Sequence, residues 1–317
     1  MESCVAFVSD QRYLPLMMAT ATTAVNRSSM RFPIALLGFG VPLAVKQDVC
    51  AYFANLGVDI EFIDHSGEAH GLDWSALPVK LKDMSTAAYG RLILPELLSH
   101  HRNILYMDGD MLVDADLGEL IANPPVRLAA VEAIHHIDKQ PQVYELNPSL
   151  KRRRSYFNSG LFYINVDFWA TEGAGKQVVE LIKSERIKTP LHDQDYLNIC
   201  FGDIYQRLDL RWNFTWPMSY LVPALRPFIV HFAGRLKPWD QDECRCPEVF
   251  SKVYKRLFAQ MPRSVTGSIP ELGFQEWERK RLRRLRYLLA FGKPSGSSWN
   301  KRHASVLEDW CGEASRV

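Results

Sequence analysis

The sequence lacks the features that mark secreted, membrane-spanning or strongly charged proteins. No basic amino-terminal region is followed by a long apolar stretch, and no segment reaches the roughly 20 apolar residues of a membrane helix. We therefore expect no signal peptide and a cytoplasmic protein. A net charge of +2 over 317 residues gives no whole-chain electrostatic reason to expect a nucleic-acid partner.

Cysteine is sparse and poorly placed for a structural metal site. The chain has six cysteines, and the closest pair, Cys244 and Cys246, is separated by one residue rather than two. No second pair completes a zinc-binding pattern, so reduced thiols are the simplest interpretation. No internal repeat is evident either.

Short apolar runs and amphipathic segments alternate along the first hundred residues. This order predicts a Rossmann-like α/β fold with a mostly parallel sheet. The predicted strands cover about 4–8, 32–38, 58–63 and 104–107, and the predicted helices about 14–26, 44–56 and 86–98. Pro95 should kink or shorten the last of these helices.

The second half is richer in loops. Its predicted strands cover 127–131, 156–165, 211–216 and 227–232, and residues 168–185 are predicted to be partly helical. The polar segment 135–155 carries the basic cluster 151–154 and is interpreted as a loop over a site.

Two carboxylates follow the apolar run 104–107 directly. Asp108 and Asp110 should lie at the carboxyl end of a buried strand, where open α/β sheets bind ligands. Two hard oxygen ligands on a short turn suit Mg²⁺ or Mn²⁺ against a diphosphate. The triplet alone is weak evidence, because three others occur: Asp114/Asp116, Asp193/Asp195 and Asp240/Asp242.

Six segments together, in this order, resemble the retaining glycosyltransferases of family 8. The matching segments are 7–10, 86–92, 104–110, 157–160, 192–198 and 231–239. This family has the GT-A fold and includes bacterial lipopolysaccharide galactosyl- and glucosyltransferases and the glycogenins. The resemblance implies a single GT-A domain over residues 1–262, followed by a basic helical tail over 263–317.

The resemblance implies nucleotide contacts near the first strand and the third helix. Val8, Asp10 and Arg12 occupy positions that bind base and ribose, although Asp10 could instead cap the following helix. Arg91 occupies a position that contacts the nucleotide and the metal-site carboxylates. The alternative for an isolated arginine is a surface position on a helix.

The resemblance also completes a metal and diphosphate site. Asp108 and Asp110 would bind the metal with His231 as third ligand, a set that favours Mn²⁺, with Mg²⁺ as second candidate. A lone histidine is otherwise more often a hydrogen-bonded core residue. Gly234 would allow close backbone approach, and Lys237 would neutralise the diphosphate.

The donor sugar is assigned by the same resemblance to Asn158 and the start of a later helix. Asp193 would bind sugar hydroxyls, and Gln194 would lie near the anomeric carbon. An amide is a poor nucleophile, so a front-side substitution is favoured, while Asp195 keeps a nucleophilic route open. The alternative for Asp193 and Asp195 is a helix first turn that favours acidic residues.

The implied catalytic residues are Gln194, Asp193 and Asp195. The implied UDP-sugar residues are Val8, Asp10, Arg12, Arg91, Asp108, Gly109, Asp110, Asn158, Asp193, Gln194, Gly234 and Lys237. The triplets Asp114/Asp116 and Asp240/Asp242 lack a matching context and are interpreted as solvated.

The segment 277–291 is both basic and apolar. Leu282, Leu285, Leu288 and Leu289 recur at helical spacing behind a run of arginines, which is typical of a helix lying on an anionic bilayer. An amphipathic helix packed on the domain and a nucleic-acid contact are the alternatives. The membrane is favoured because lipopolysaccharide-building relatives act on lipid-linked acceptors at the cytoplasmic face.

Taken together, the sequence predicts a metal-dependent retaining hexosyltransferase. It would move galactose or glucose from UDP-galactose or UDP-glucose to a glycan or lipopolysaccharide-type acceptor. A metal-dependent nucleotidyltransferase and a nucleotide-sugar-binding protein without turnover are the alternatives.

Overall fold

The computed structural model describes residues 3–65, 77, 86–134, 136, 141–153, 155–184, 191, 193–215, 225–233, 237–239 and 248–267. Three predictions fall outside these residues: the role of Gly234, the solvated triplet Asp240/Asp242 and the basic segment 277–291. The division into a domain over 1–262 and a tail over 263–317 stays a prediction.

Strands and helices alternate as the sequence predicts. The strands are β1 Ser3–Asp10, β2 Ile34–Phe39, β3 Ile60–His65, β4 Asn103–Met107, β5 Met111–Val113, β6 Leu128–Glu132, β7 Phe157–Asn165, β8 Gln206–Leu208, β9 Phe214–Thr215 and β10 Ile229–His231. The helices are α1 Leu14–Arg27, α2 Leu43–Asn55, α3 Leu94–Leu97, α4 Leu117–Ile121, α5 Pro141–Leu146, α6 Pro148–Arg153, α7 Val166–Thr171, α8 Ala174–Lys183, α9 Asp193–Phe201, α10 Glu248–Ala259 and α11 Arg263–Thr266. Two 3₁₀ turns, Thr86–Leu92 and Leu210–Asn213, complete them.

The main sheet has seven strands in the order β3-β2-β1-β4-β7-β6-β8. All neighbours are parallel except β7, which runs antiparallel to both β4 and β6. The prediction of a mostly parallel sheet is therefore confirmed. A smaller sheet, β5-β10-β9, begins only three residues after β4 ends and so lies directly beyond its carboxyl end.

The register of β6 and β7 contains one irregularity. Ala130 lies opposite Phe162, but Val131 lies opposite Asn158. Residues 159–161 of β7 therefore bulge against a single step of β6, which is how an antiparallel strand bends and re-aims its side chains.

Alternation along the central strands creates two apolar layers. Val5 and Phe7 of β1 face a core shared with α1, α2 and α10, while Cys4 and Ala6 face one shared with α7, α8 and α9. Burial on both faces explains why these strands are nearly continuous apolar runs in the sequence. Because the faces of these strands are covered by apolar side chains, polar side chains can cluster only at the strand ends, and the site lies at the carboxyl ends.

Several predicted elements are shorter than expected. The segment 86–98 is a 3₁₀ turn followed by the four-residue α3, with Pro95 in the first turn of α3. The segment 168–185 is divided into α7 and α8 at Gly173, whose φ is +60°. The aromatic segment 211–216 begins as a 3₁₀ turn and becomes strand only at Phe214.

The polar segment 135–155 contains α5 and α6, so its description as a plain loop is wrong for those residues.

The interpretation of Asp114 as solvated is also wrong. Its side chain is 1% exposed and lies 3.3 Å from Nη2 of Arg27 and 3.2 Å from Nη2 of Arg226. Asp116 caps α4 by accepting the backbone N–H of Gly118 at 2.8 Å. Both carboxylates therefore connect neighbouring elements by ion pairs or hydrogen bonds.

No helix within the described part of the chain combines the length and the apolarity that a bilayer crossing requires.

Candidate active site

The site is built on residues 108–110, the turn that follows β4, which we call the metal turn. Thr20 of α1 holds this turn, because its hydroxyl lies 2.7 Å from the Gly109 carbonyl and accepts the Met111 N–H at 3.1 Å. A Cβ on Gly109 would lie 3.0 Å from the backbone nitrogen of Met17. Only glycine thus lets α1 approach closely enough to fix the two flanking carboxylates.

Asp108, Asp110 and His231 converge on one point. The Nε2 atom of His231 lies 3.6 Å from Oδ2 of Asp108 and 3.2 Å from Oδ1 of Asp110. All three potential ligand atoms lie within 4.8 Å of one another. Two carboxylate oxygens and one imidazole nitrogen are a donor set that suits Mn²⁺, so these residues fit the implied metal.

Gly160 keeps the space beside these ligands open. A Cβ at this position would collide with Cε1 of His231 and would lie 2.6 Å from Oδ2 of Asp108. The backbone of Gly160 also accepts the N–H of Asp108 at 2.7 Å, which ties the bulge of β7 to the metal turn.

Lys237 supplies positive charge next to the same turn. Its ammonium group contacts a carboxylate oxygen of Asp110 and donates to the Phe232 carbonyl at 2.7 Å. Burial alone would raise the pKa of Asp110, but Lys237 and His231 hold this pKa well below its usual range. Asp110 is therefore ionised at neutral pH, as a metal ligand must be.

Arg91 is buried between the metal turn and α9. Its Nη2 lies 3.1 Å from Oδ1 of Asp108, and its Nε lies 3.0 Å from Oδ2 of Asp193. Nη1 donates to the carbonyl of Ser159 at 2.8 Å. Burial works to lower the pKa of Arg91, but the charges of Asp108 and Asp193 raise it above its ordinary value.

Arg91 is thus not a surface residue. The guanidinium is 6% exposed, and its side chain is directed at protein carboxylates. The ring of Tyr106 lies 4.6 Å from the guanidinium carbon, and the Tyr106 hydroxyl donates to Asp108 at 2.7 Å. Arg91 fixes the distance between the metal turn and Asp193.

Asn158 and the first turn of α9 form the side of the site that lies across Arg91 from the metal turn. We call these residues the wall. Nδ2 of Asn158 donates to Oε1 of Gln194 at 2.8 Å, and the N–H of Ser159 donates to the same oxygen at 3.1 Å. The amide oxygen of Gln194 is therefore engaged by two donors. It is held in the wall and has little freedom to turn towards a reacting carbon.

Asp195 is more deeply buried than a nucleophile should be. Its side chain has no exposed surface, Oδ1 accepts the Tyr156 hydroxyl at 2.5 Å and Oδ2 accepts the Leu191 N–H at 3.2 Å. In this geometry Asp195 organises the wall, and Asp193 is the acidic residue of α9 that pairs with Arg91.

Sequence reasoning missed Asn213 and Tyr156. Oδ1 of Asn213 lies 2.7 Å from Nδ1 of His231, and Nδ2 of Asn213 donates to Oδ1 of Asn158 at 2.8 Å. A single amide within the aromatic segment 211–216 was a signal for Asn213, because a buried amide needs partners. Tyr156 gave no such signal in the sequence.

The residues predicted to contact the nucleotide, Val8, Asp10 and Arg12, lie at the same edge of the sheet. Asp10 ends β1, and its carboxylate accepts the Tyr13 N–H at 2.9 Å, so it stabilises the turn before α1 without being the helix cap itself. Val8 packs against the position of Gly90, next to Arg91. The Nε of Arg12 is buried without a hydrogen-bond partner among the described residues.

A second group of potential metal ligands lies at the opposite, amino-terminal end of the sheet. Nε2 of His100 lies 3.0 Å and Nε2 of His101 lies 3.7 Å from Oε2 of Glu61. Glu61 and His100 are 40% and 52% exposed, and within the described ranges no lysine or arginine forms an ion pair with Glu61. A surface hydrogen bond between His100 and Glu61 explains this group, whereas the group at Asp108 is enclosed and has Lys237 beside it.

Comparison with known proteins identifies the family to which this sequence is similar. The family model described as glycosyl transferase family 8 matches residues 4–243. Glycosyltransferase GlyE of Streptococcus pneumoniae serotype 4 is 23% identical over 249 residues, which cover 75% of this chain and 57% of that protein. The lipopolysaccharide 1,3-galactosyltransferase of Salmonella typhimurium is 28% identical over 172 residues, which cover 50% of each. The chain therefore spans only about half the length of these two relatives.

The fold also has counterparts among solved structures. The galactosyltransferase LgtC in complex with donor and acceptor sugar analogs superposes with a TM-score of 0.72 at 22% identity. The superposition covers 83% of this chain and 99% of that one. GlyE superposes with a TM-score of 0.60 at 20% identity over 88% of this chain and 65% of that one.

Proposed function

Because the chain belongs to glycosyl transferase family 8, we propose that it is a metal-dependent retaining hexosyltransferase that uses a UDP-sugar. Galactose or glucose would be moved from UDP-galactose or UDP-glucose to a glycan or lipopolysaccharide-type acceptor. The family membership supports the reaction class, and the enclosed group of Asp108, Asp110 and His231 supports the metal and the diphosphate.

One observation carries this proposal. The metal turn and α9 are joined by the buried guanidinium of Arg91, which lies within 3.1 Å of Asp108 and 3.0 Å of Asp193. A diphosphate bound at the turn would therefore have its sugar directed towards α9.

The residues can support departure of a nucleoside diphosphate without an acid catalyst. A divalent cation held by Asp108, Asp110 and His231 would neutralise negative charge that grows on the diphosphate. Lys237, fixed by the Phe232 carbonyl and Asp110, would bind the same oxygens. Asp193, held against Arg91, would accept hydrogen bonds from sugar hydroxyls.

The wall residues favour front-side substitution. The acceptor oxygen would form its bond to the anomeric carbon on the face that the phosphate oxygen leaves, and its proton would pass to that phosphate oxygen. No protein nucleophile is needed, which agrees with the double engagement of the Gln194 oxygen and the full burial of Asp195.

We further propose that the segment 277–291 binds an anionic membrane surface. This places the enzyme as a peripheral protein on the cytoplasmic face, next to lipid-linked acceptors. Its basic and apolar composition supports this proposal.

The first test is a donor panel. The purified protein is incubated with Mn²⁺ and a set of nucleotide sugars, and UDP should be released from UDP-galactose or UDP-glucose. Release of pyrophosphate from a nucleoside triphosphate incubated with a sugar 1-phosphate would indicate a nucleotidyltransferase, and UDP binding without turnover in the presence of acceptors would indicate a binding protein. Asp110→Asn should abolish metal-dependent UDP binding, whereas the exposed Asp209→Asn, as a matched control, should not.

A further inference from the structure

A single run of hydrogen bonds passes behind the site from α9 to the metal position. In the order of their contacts it joins Asp195, Tyr156, Gln194, Asn158, Asn213 and His231. The distances between successive partners are 2.5, 3.1, 2.8, 2.8 and 2.7 Å. Every one of these side chains is buried.

Backbone groups fix the direction of this run. Oδ1 of Asn158 accepts the N–H of Gly160 at 3.0 Å, so its other amide atom, Nδ2, is the donor to Gln194. Oε1 of Gln194 likewise accepts the N–H of Ser159. A backbone N–H can only donate, so neither side-chain amide can be turned over without placing donor against donor.

The direction is maintained at the far end by Asp195. An ionised carboxylate can only accept, and Tyr156 donates to it. Burial and the charge of Asp195 raise the pKa of Tyr156, which keeps its proton in place. Tyr156 can then accept from Nε2 of Gln194, which continues the same direction.

The same logic fixes the imidazole at the near end. Oδ1 of Asn158 requires a donor, so Asn213 presents Nδ2 to it and Oδ1 to His231. His231 must therefore carry its proton on Nδ1. Its Nε2 is then the ring nitrogen that faces Asp108 and Asp110, where a bound cation would take its lone pair.

We propose that Asn213 is a positioning residue that sets the tautomer and orientation of His231 for metal binding. The proposal rests on the proposed function only in assuming that the site holds a divalent cation. The wall residue Asn158 has a second role here, because its oxygen, oriented by Gly160, dictates which way Asn213 faces. The metal ligand and the sugar wall are thus fixed by one set of hydrogen bonds.

The test measures Mn²⁺ affinity in the presence of UDP by electron paramagnetic resonance, without any sugar transfer. Asn213→Leu removes both hydrogen bonds and should weaken Mn²⁺ binding by about 10- to 100-fold, the usual effect of losing the partner of a ligating histidine. Asn213→Asp keeps an acceptor for Nδ1–H but loses the donor to Asn158, so it should bind Mn²⁺ more tightly than Asn213→Leu and within about tenfold of wild type.

Thr215→Val is the matched control. Thr215 is fully buried, pairs with His231 across β9 and β10, and has a hydroxyl without a hydrogen-bond partner among the described residues. It should leave Mn²⁺ binding unchanged. Wild-type affinity in Asn213→Leu, or an equal loss in Thr215→Val, would overturn the assignment of Asn213.

Failure of the proposed function gives a different result. If wild-type protein binds Mn²⁺ and the variants differ as expected while no donor releases UDP, the reaction is wrong and the role of Asn213 stands. If Asn213→Leu does not fold, the contrast between Asn213→Asp and wild type decides, because a loss of affinity beyond tenfold in the aspartate variant contradicts the inference.

Discussion

Gly160 shows how a single missing methyl group shapes the site. The position of its absent Cβ is already occupied by the edge of the His231 ring and approached by Asp108. Both neighbours are held by further hydrogen bonds, so neither can retreat without disturbing the group of three ligands. The glycine is needed for space and not for an unusual backbone angle.

Gly160→Ala should therefore lower Mn²⁺ affinity by about tenfold or more, since metal binding depends on how the ligands are oriented. It should cost about 1–3 kcal/mol of folding free energy, as overpacking does. Titration with Mn²⁺ and urea unfolding measure the two effects.

Gly267→Ala serves as its control. Gly267 has a helical φ of −59°, and an added Cβ would lie 3.3 Å from the Arg263 carbonyl. Gly267→Ala should change neither the Mn²⁺ affinity nor the folding free energy appreciably. Unchanged metal affinity in Gly160→Ala would show that the three ligands can relax around a methyl group.

The sequence predicted the side chains that have a chemical signature better than those that support them. Asp108 and Asp110 stood out because two carboxylates end an apolar run, and the structure places them against His231. Asn213 and Tyr156 lie in segments that look like ordinary core. Their partners come from distant parts of the chain, and only the fold brings these together.

Asp114 illustrates the opposite error. An Asp-x-Asp triplet without a matching motif was interpreted as solvated, but Arg27 and Arg226 enclose it. These two arginines lie 87 and 112 residues away in sequence. Burial of a paired charge cannot be deduced from the residues next to it.

At the scale of elements, short helices depend strongly on their ends. The helix α4 has only five residues, and Asp116 caps it by accepting the Gly118 N–H. The same carboxylate accepts the backbone N–H of Ser29 at 2.8 Å, which joins α4 to the end of α1. Hydrogen bonds from Ser29 lower the pKa of Asp116 below its ordinary value.

Asp116→Ala should cost about 1 kcal/mol at neutral pH, the usual effect of losing a helix cap. Because the pKa is lower in the folded state, this charge-dependent stabilisation is complete above the unfolded value of about 3.9 and is lost as the pH falls from there through the lower pKa of the folded state. The difference in stability between wild type and variant should therefore shrink in that window. Urea unfolding between pH 7 and about pH 2 measures it.

Asp116→Asn provides the comparison. The amide oxygen can accept the same hydrogen bonds but does not titrate, so this variant should retain most of the stability at neutral pH. Its stability relative to the alanine variant should not vary with pH. A constant difference between wild type and Asp116→Ala down to about pH 2 would show that the charge of Asp116 contributes nothing.

Element types were predictable where one pattern dominates. The strands β1, β2 and β4 are buried on both faces and read as apolar runs, and Gly57 with φ of +68° follows the helix α2 as expected. The segment 86–98 has helical spacing, yet its first part, Thr86–Leu92, is tightened into a 3₁₀ turn. There the side chain of Arg91 must reach the Ser159 carbonyl, a tertiary demand that no local pattern reveals.

At the scale of the whole molecule, sugar transfer by the predicted domain and membrane binding by the basic tail should be separable. Truncation before Trp277 should reduce binding to anionic vesicles and leave UDP release from the soluble donor unchanged. Vesicle sedimentation and the donor assay measure the two properties on the same preparation. The physical reason is that each basic residue near an anionic surface contributes about 1 kcal/mol.

A charge variant separates electrostatics from loss of the segment. The triple replacement Arg281→Gln, Arg283→Gln and Arg284→Gln retains the leucines and should lose most of the vesicle binding at physiological salt. Vesicles made only of zwitterionic lipid should bind neither protein. Equal recovery of the full-length and truncated chains on anionic vesicles would remove the tail from membrane attachment.

The bulge of β7 limits how this site can evolve. Residues 159–161 are accommodated against one step of β6, and they carry the peptide groups that form hydrogen bonds with Arg91, Gln194 and Asp108. An insertion or deletion of one residue here would exchange the two faces of the strand. Under the proposed function, new sugar preferences would arise by substitution around Asn158, and insertions or deletions would have to lie outside residues 159–161.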